Sequence, residues 1–131
     1  MSGHAVGAVD EVPDAFGGQY PGAMRFLGGP LGAEQIAFTL RQMPPKNGGK
    51  GSYGHRHKTQ EEIYYVISGR LEFKLGDDVI EVGPRMAVRV APQTWRSVWN
   101  DGPDDAELLI VSVRIDDVES DTEIIENFWP A

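Results

Sequence analysis

The chain has 131 residues, enough for one domain with one core, and its 40% hydrophobic and 24% charged residues are typical of a globular protein. It contains no cysteine, which excludes disulfides, thiolate zinc sites, iron–sulfur clusters and a cysteine nucleophile. The formal net charge is −8, without the clustered Lys and Arg that nucleic-acid binding requires, so we expect no nucleic-acid partner.

Residues 1–20 are rich in Gly and Ala, and we expect them to form an arm that wraps the surface. This segment has no basic start followed by an apolar stretch, so no secretory signal is visible. No apolar run in the chain approaches the roughly 20 residues that a membrane-spanning helix needs. The sequence therefore predicts a cytoplasmic protein with no membrane partner.

Residues 21–117 are predicted to form the body of the protein, built from short strands and tight turns. Val and Ile total 20 against 7 Leu, and there are 16 Gly and 9 Pro, a composition that favours strands and turns over helices. Alternating apolar and polar residues predict strands at 35–43, 62–67, 71–75, 79–82, 86–90, 95–100 and 108–115. Their recurrence every 8–12 residues or so is typical of an all-β antiparallel sandwich or barrel.

The apolar residues of these strands are expected to form the core or line an apolar pocket: Phe38, Leu40, Leu71, Phe73, Leu75, Met86, Val88 and Val90. Residues 118–131 are expected to form an acidic, solvated tail. Ten acidic residues and one basic residue lie between positions 101 and 131. One helical turn over 120–126 is predicted before Phe128 and Trp129 pack back on the body.

The residues most informative about chemistry are His55 and His57. Spaced two apart on an extended strand, they point both imidazoles to one face. A carboxylate, Glu61 or Glu62, follows at the start of the next strand. Two imidazoles and one carboxylate suit Fe(II), Mn(II), Ni(II) or Zn(II) and leave coordination positions open for water, oxygen or a substrate.

This stretch resembles the first signature of the cupin family, G-x5-H-x-H-x4-E-x6-G, with matches at Gly49, His55, His57, Glu62 and Gly69. The resemblance extends over roughly residues 35–115. It implies a small single-domain jelly-roll barrel in which the metal ligands are His55, His57 and Glu62. The family spacing favours Glu62 over Glu61, which alternation would turn outward.

The second cupin signature, close to P-P-G-x-x-H-x-x-x-N, falls on residues 91–100 and departs from the family pattern. Pro92 and Asn100 match, but Gln93 replaces the glycine and Arg96 replaces the histidine that would be the fourth ligand. A guanidinium cannot ligate a metal, because it stays protonated and offers no lone pair. Either three residues hold the metal while Arg96 binds an anionic substrate, or the cation has displaced the metal.

Alternation along the strands predicts which aromatic side chains face inward and which face outward. If Arg96 faces inward, then Trp95 and Trp99 face outward and need cover from the arm or a second subunit, and we predict a homodimer. Tyr53 shares the histidine face and Tyr64 the Glu62 face. Either phenol is a candidate hydrogen-bond partner for a substrate, although filling the cavity wall is the commoner role.

The resemblance implies a metal-binding protein that acts on or binds a small, anionic organic molecule. Oxygenase-type or Lewis-acid chemistry is favoured over isomerase chemistry, because three ligands leave open positions and no separate general base is evident. The alternative is a non-catalytic ligand-binding or sensor protein, with or without a metal. Membership of a fold family does not choose between these functions.

Overall fold

The computed structural model describes residues 3–131, so positions 1 and 2 of the predicted arm lie outside the described residues. The described chain contains a 3-10 turn at Val9–Glu11 and two one-turn helices, α1 (Gly28–Leu31) and α2 (Val118–Asp121). The strands are β1 (Ala23–Phe26), β2 (Ile36–Met43), β3 (Asn47–Gly48), β4 (Ser52–His57), β5 (Glu62–Ser68), β6 (Leu71–Leu75), β7 (Asp78–Val82), β8 (Ala87–Val90), β9 (Arg96–Asn100), β10 (Ala106–Val113) and β11 (Thr122–Trp129). Across residues 3–131, no helix has the length and apolar character that a membrane crossing requires.

The strands form two antiparallel sheets that face each other. The first sheet has the order β1-β2-β10-β5-β8, and the second has the order β11-β4-β9-β6-β7 with β3 beside β9. Because successive side chains of a strand point to opposite faces, each strand sends alternate residues into the space between the sheets. The predicted all-β antiparallel fold is confirmed.

The space between the sheets is apolar at one end and opens into a cavity at the other. The apolar end is a cluster of buried residues from both sheets: Met43, Tyr64, Val66, Leu71, Phe73, Val82, Val90, Val98, Ala106 and Leu108. Of the predicted core residues, Leu71, Phe73 and Val90 belong to this cluster, and Leu75 and Val88 pack against it. Each fully buried Leu, Val or Phe side chain contributes about 1.5–3 kcal/mol, so this cluster holds the two sheets together.

Of the two β2 residues predicted to form the core or line the pocket, Leu40 is buried, but Phe38 is only partly buried and does not line the cavity. The residues of β2 that face the cavity are the alternate ones, Ala37, Thr39 and Arg41. Leu40 is nevertheless buried, because it lies on the outer face beside Arg25, whose guanidinium donates to the carbonyl oxygen of Val12. Met86 is also outside the core, with 51% of its surface exposed.

The C-terminal residues form a strand where a helical turn was predicted. The turn over 120–126 is wrong, because α2 ends at Asp121 and β11 continues the second sheet beside β4. Trp129 is buried opposite Ser52, and the Phe128 ring packs on the backbone of Gly54.

Two glycines of the first motif have clear backbone roles. Gly69 lies in the turn between β5 and β6 with φ +79, and a Cβ there would approach the carbonyl oxygen of Asp105 to 2.9 Å. At Gly49 a Cβ would overlap the Ser97 hydroxyl. Both positions therefore require glycine for space or backbone conformation, as expected for turn residues.

Candidate metal centre

His55 and His57 lie on β4 and point into the space between the sheets. Their ring centroids are 5.1 Å apart in an edge-on arrangement. His57 is buried and His55 is partly buried. The register pairs His55 with Arg96 of β9 and His57 with Thr122 of β11, so neighbouring strands on both sides fix the two imidazoles.

Glu62 reaches the histidines from the opposite sheet. It begins β5, and its Oε1 lies 3.6 Å from His55 Nε2 and 3.5 Å from His57 Nε2. One potential ligand atom from each of the three residues lies within 4.8 Å of the others. The structure therefore brings together the three residues that the sequence selected.

The neighbouring Glu61 points outward. Its Oε2 lies 2.5 Å from Arg89 Nε in an exposed ion pair. This outward position agrees with the alternation that distinguished Glu61 from Glu62.

His57 is held by a carboxylate that the sequence interpretation missed. Its Nδ1 lies 3.3 Å from Asp121 Oδ2 and 3.4 Å from Thr122 Oγ1. Asp121 also accepts hydrogen bonds from Thr59 N at 2.9 Å, Thr59 Oγ1 at 2.6 Å and Gln60 N at 3.2 Å. With a proton on Nδ1 facing Asp121, the lone pair of Nε2 faces Glu62.

The second nitrogen of His57 supplies the test of whether the site suits a metal. Among the described residues, the buried Nε2 of His57 has no hydrogen-bond partner, since 3.5 Å to Glu62 Oε1 is too long for a good hydrogen bond. An imidazole whose Nδ1 is fixed by a carboxylate and whose Nε2 is unpartnered is the usual arrangement of a metal-ligating histidine. The residues therefore fit a divalent transition metal.

The pKa of Asp121 lies below its ordinary value although the side chain is buried. Burial by itself would raise the pKa of Asp121, but the hydrogen bonds from Thr59 and Gln60 and the proximity of His57 outweigh it and lower the pKa. No pattern in the sequence separates Asp121 from the other acidic residues of the C-terminal segment, because its partners lie about sixty positions earlier in the chain.

Glu62 is held as a carboxylate by the residues around it. Tyr64 Oη donates to Oε1 at 2.6 Å, and Arg96 Nε and Nη2 lie 3.2 and 3.1 Å from the same oxygen. Burial would raise the pKa of Glu62, but the contacts from His55, His57, Tyr64 and Arg96 together lower it. Burial and the adjacent Glu62 carboxylate raise the pKa of Tyr64, so its phenol stays protonated as a donor.

Arg96 faces inward and is one of the residues that line the cavity. Its side chain is completely buried. Besides contacting Glu62, its Nη1 donates to the carbonyl oxygens of Pro92 at 2.8 Å and Thr94 at 2.7 Å. Arg96 is therefore the internal counterion of Glu62, while its buried Nη2 makes no hydrogen bond, and its predicted role in binding an anion stays a prediction.

The other predicted residues have distinct environments. Tyr53 is half exposed and lines the cavity. Asn100 is fully buried and closes a turn, donating to the carbonyl oxygens of Met43 and Asp104 and accepting from Gly102 N. This matches the predicted structural role of Asn100.

A cavity of about 440 Å³ opens over the three potential ligands. Most of the lining surface is apolar, as in many small-molecule sites. One charged residue of its wall, Arg41 on β2, was not singled out in the sequence. It belongs to the face of β2 that alternation assigned to the outside, so the apolar pattern of Phe38 and Leu40 concealed it.

A comparison with known protein families identifies the family of this chain. The model of the family described as "Cupin domain" matches residues 42–112, which is more than half of the chain. The protein belongs to the cupin family. Both signature regions lie within this match, and Arg41 and Asp121 lie outside it.

One relative of this cupin matches about half of the chain. An uncharacterized protein of Methanocaldococcus jannaschii is 35% identical over 72 residues, and the match covers 55% of this chain and 57% of the relative. This cupin therefore matches little more than half the length of that relative.

Solved structures share the fold. An uncharacterized conserved protein with a double-stranded β-helix domain from Klebsiella pneumoniae has a TM-score of 0.70 at 17% identity, over 93% of this chain and 97% of that chain. A predicted oxalate decarboxylase from Thermotoga maritima has a TM-score of 0.69 at 21% identity, over 85% and 100% of the two chains. The polyketide cyclase RemF from Streptomyces resistomycificus has a TM-score of 0.67 at 21% identity, over 83% and 78%. At these identities the similarity establishes the fold alone.

Proposed function

We propose that this cupin binds a divalent transition metal through His55, His57 and Glu62 and uses it to act on a small, anionic organic molecule. The observation that carries the proposal is the convergence of the three side chains at the wall of the cavity, within 4.8 Å of one another. The unpartnered Nε2 of His57 supports it, because a buried imidazole nitrogen without a partner is costly unless a ligand fills that role.

The residues around the three ligands prepare them for coordination. Asp121 keeps the proton of His57 on Nδ1, which leaves Nε2 free to bind. Tyr64 and Arg96 keep Glu62 ionised. When bound, a divalent metal supplies an electrophilic centre with open coordination positions, which suits oxygenase-type or Lewis-acid chemistry.

Metal content of the purified, untagged protein tests the proposal. We expect about one equivalent of iron, manganese, nickel or zinc in the wild-type protein, and loss of that metal in the His55→Ala/His57→Ala variant. His4→Ala is the matched control, because His4 is exposed in the N-terminal arm and should leave the metal content unchanged. Wild-type protein that takes up none of these metals on dialysis against them would refute the metal site.

A second candidate function is a metal-free ligand-binding or sensor protein. The observation that favours it is the close contact of Arg96 with Glu62, because the guanidinium already neutralises the carboxylate that would hold the metal. An oxygen-consumption screen of the metal-loaded protein over small carboxylic acids separates the two functions. Uptake that requires both metal and substrate supports oxygenase catalysis, and binding without turnover supports the sensor.

We also propose a homodimer in the cytoplasm, with a correction to the expected interface. The outward Trp95 is covered by the Arg56 guanidinium at 4.4 Å from its ring centroid, and the Trp99 indole donates to Asp101. The outer face of the first sheet is more exposed. The paired residues Ile36 and Val113 have 56% and 53% of their surface exposed. Light scattering in line with gel filtration tests the dimer, which would have about twice the 14.4 kDa mass of one chain.

A further inference from the structure

Arg41 lies in the wall of the cavity, on a different cross-strand row from Glu62. Arg41 sits in a cross-strand row with Met24 of β1 and Leu108 of β10, and it lines the same cavity as Glu62. In the register, Glu62 is opposite Ser112 of β10, which in turn is opposite Ala37 of β2. Arg41 is four residues beyond Ala37, or about 13 Å of strand length.

Arg41 has no ionic partner within the part of the chain that the structure describes. Its Nε is buried without a hydrogen-bond partner, and the ionisable groups that influence it are the neutral phenols of Tyr53 and Tyr64. Burial lowers the pKa of Arg41, but a guanidinium keeps its proton near neutral pH. Arg41 is partly buried and its guanidinium has no counterion among the described residues, so an anion supplied from outside the chain can pair with it in the cavity.

The other charges of the cavity do not neutralise Arg41. Arg96 and Glu62 pair with each other at 3.1 Å. With neutral imidazoles, the two guanidinium groups and one carboxylate that line the cavity leave a formal charge of +1, and a bound divalent metal would add to it. The cavity is therefore electrostatically suited to an anion, and Arg41 is its unpaired cation.

We infer that Arg41 binds the carboxylate of a small organic acid whose other end extends towards His55, His57 and Glu62. A single planar guanidinium suits a carboxylate, which accepts two parallel N–H bonds. The row beside it is apolar, with Met24 and Leu108, and the wall includes Ile110, so the body of the acid is apolar. The inference rests on the proposed function for the chemistry at the end of the ligand near His55, His57 and Glu62. The contact between Arg41 and the carboxylate does not depend on it.

Binding of matched acids and amides by metal-free protein tests this inference. The probes are hexanoate and benzoate, with hexanamide and benzamide as neutral counterparts, and the readout is the NMR signal of the Arg41 Nε–Hε group during titration in the presence of EDTA. We expect at least one acid to shift this signal, with the matched amide binding at least about tenfold more weakly. Inorganic phosphate is included as an anion without an apolar body and should bind more weakly than the best acid.

Arg41→Met tests the residue, since it keeps the length of the side chain and removes its charge. We expect it to lose at least about tenfold in affinity for the acid while melting no lower than the wild type, because the Arg41 side chain makes no ion pair among the described residues that the substitution would break. Arg89→Gln is the matched control, because Arg89 is exposed on β8 and pairs with Glu61. It should bind the acid as the wild type does.

Several results would overturn the inference. In the titration, these are equal binding of acid and amide, or no shift of the Arg41 signal by either acid. In the variant, they are full acid affinity in Arg41→Met, or unfolding of Arg41→Met, which would make Arg41 a structural residue. The failure of the metal site is seen separately. The His55→Ala/His57→Ala variant should lose metal and still bind the acid, so loss of one property does not imply loss of the other.

Discussion

Asp121→Asn is expected to destabilise the fold although it changes only one atom. The Asp121 carboxylate accepts four contacts: two from Thr59 through Oδ1, and those from Gln60 N and His57 Nδ1 through Oδ2. An asparagine keeps one acceptor oxygen, so its amide NH₂ must face two N–H donors. Hydrogen bonds to a charged group contribute about 1.5–3 kcal/mol each, and for two of moderate length we expect a total loss of about 3 kcal/mol.

The assay is urea denaturation at several pH values, with thermal melting as a second measurement. A loss of about 3 kcal/mol corresponds to a melting temperature lower by roughly 10 °C in a domain of this size. The pKa of Asp121 is lowered in the folded state, so its stabilisation is present above the unfolded value of about 3.9 and is lost as the pH falls through the folded value. Asparagine does not titrate, so the difference between wild type and variant should shrink as the pH falls below the unfolded pKa of about 3.9.

Asp116→Asn is the control, because the Asp116 side chain is 99% exposed and the substitution removes the same charge. It should change the free energy of unfolding by less than about 0.5 kcal/mol. If the metal site is as proposed, Asp121→Asn should also weaken metal binding by about 10- to 100-fold. A stability loss below about 1 kcal/mol, or one that does not change with pH, would refute the role given to this carboxylate.

Three further substitutions test other parts of the structure. Tyr64→Phe removes the donor at 2.6 Å from Glu62, so the Glu62 pKa should rise, measured by carboxyl NMR titration; an unchanged pKa would contradict this contact. Asn100→Ala leaves three backbone groups without their partner and should cost about 3 kcal/mol by urea denaturation, whereas a cost below about 1 kcal/mol would mean that water replaces it. Gly54→Ala should lower the free energy of unfolding by about 1–3 kcal/mol, because its methyl group meets the Phe128 ring. Part of this loss should be recovered in a double variant with Phe128→Ala, and no recovery would refute the clash.

The central strands could be predicted from the sequence because one face of each packs on the apolar core. Leu71 and Phe73 alternate with Glu72 and Lys74, and β6 covers the predicted residues 71–75. The strands that were missed lack this signal. β11 is an edge strand whose middle residues are exposed on both faces, so charges occur along it without alternation, and β1 has only four residues.

The cluster of two histidines and one glutamate could be predicted because its spacing is itself a chemical signal. His55 and His57 share a face through the period of the strand, and Glu62 follows after the turn. Asp121 could not be predicted, since its role depends on the pairing of β11 with β4, which local sequence does not encode. The contacts of Arg96 could not be predicted for a similar reason: the sequence indicates the direction of its side chain, but not that its Nη1 donates to the carbonyl oxygens of Pro92 and Thr94.

The inward-facing side of β2 was predicted incorrectly because a cavity and a filled core place different side chains on the inner face of a strand. Hydrophobic patterning identifies the inner face of a strand only where apolar side chains fill the interior. Along β2 the interior becomes a cavity, so Thr39 and Arg41 face inward while Leu40 is buried on the outside beside Arg25. A charged residue on the weaker face of an otherwise well-patterned strand is therefore a signal for a binding site, because water or a ligand, and not the core, solvates that charge.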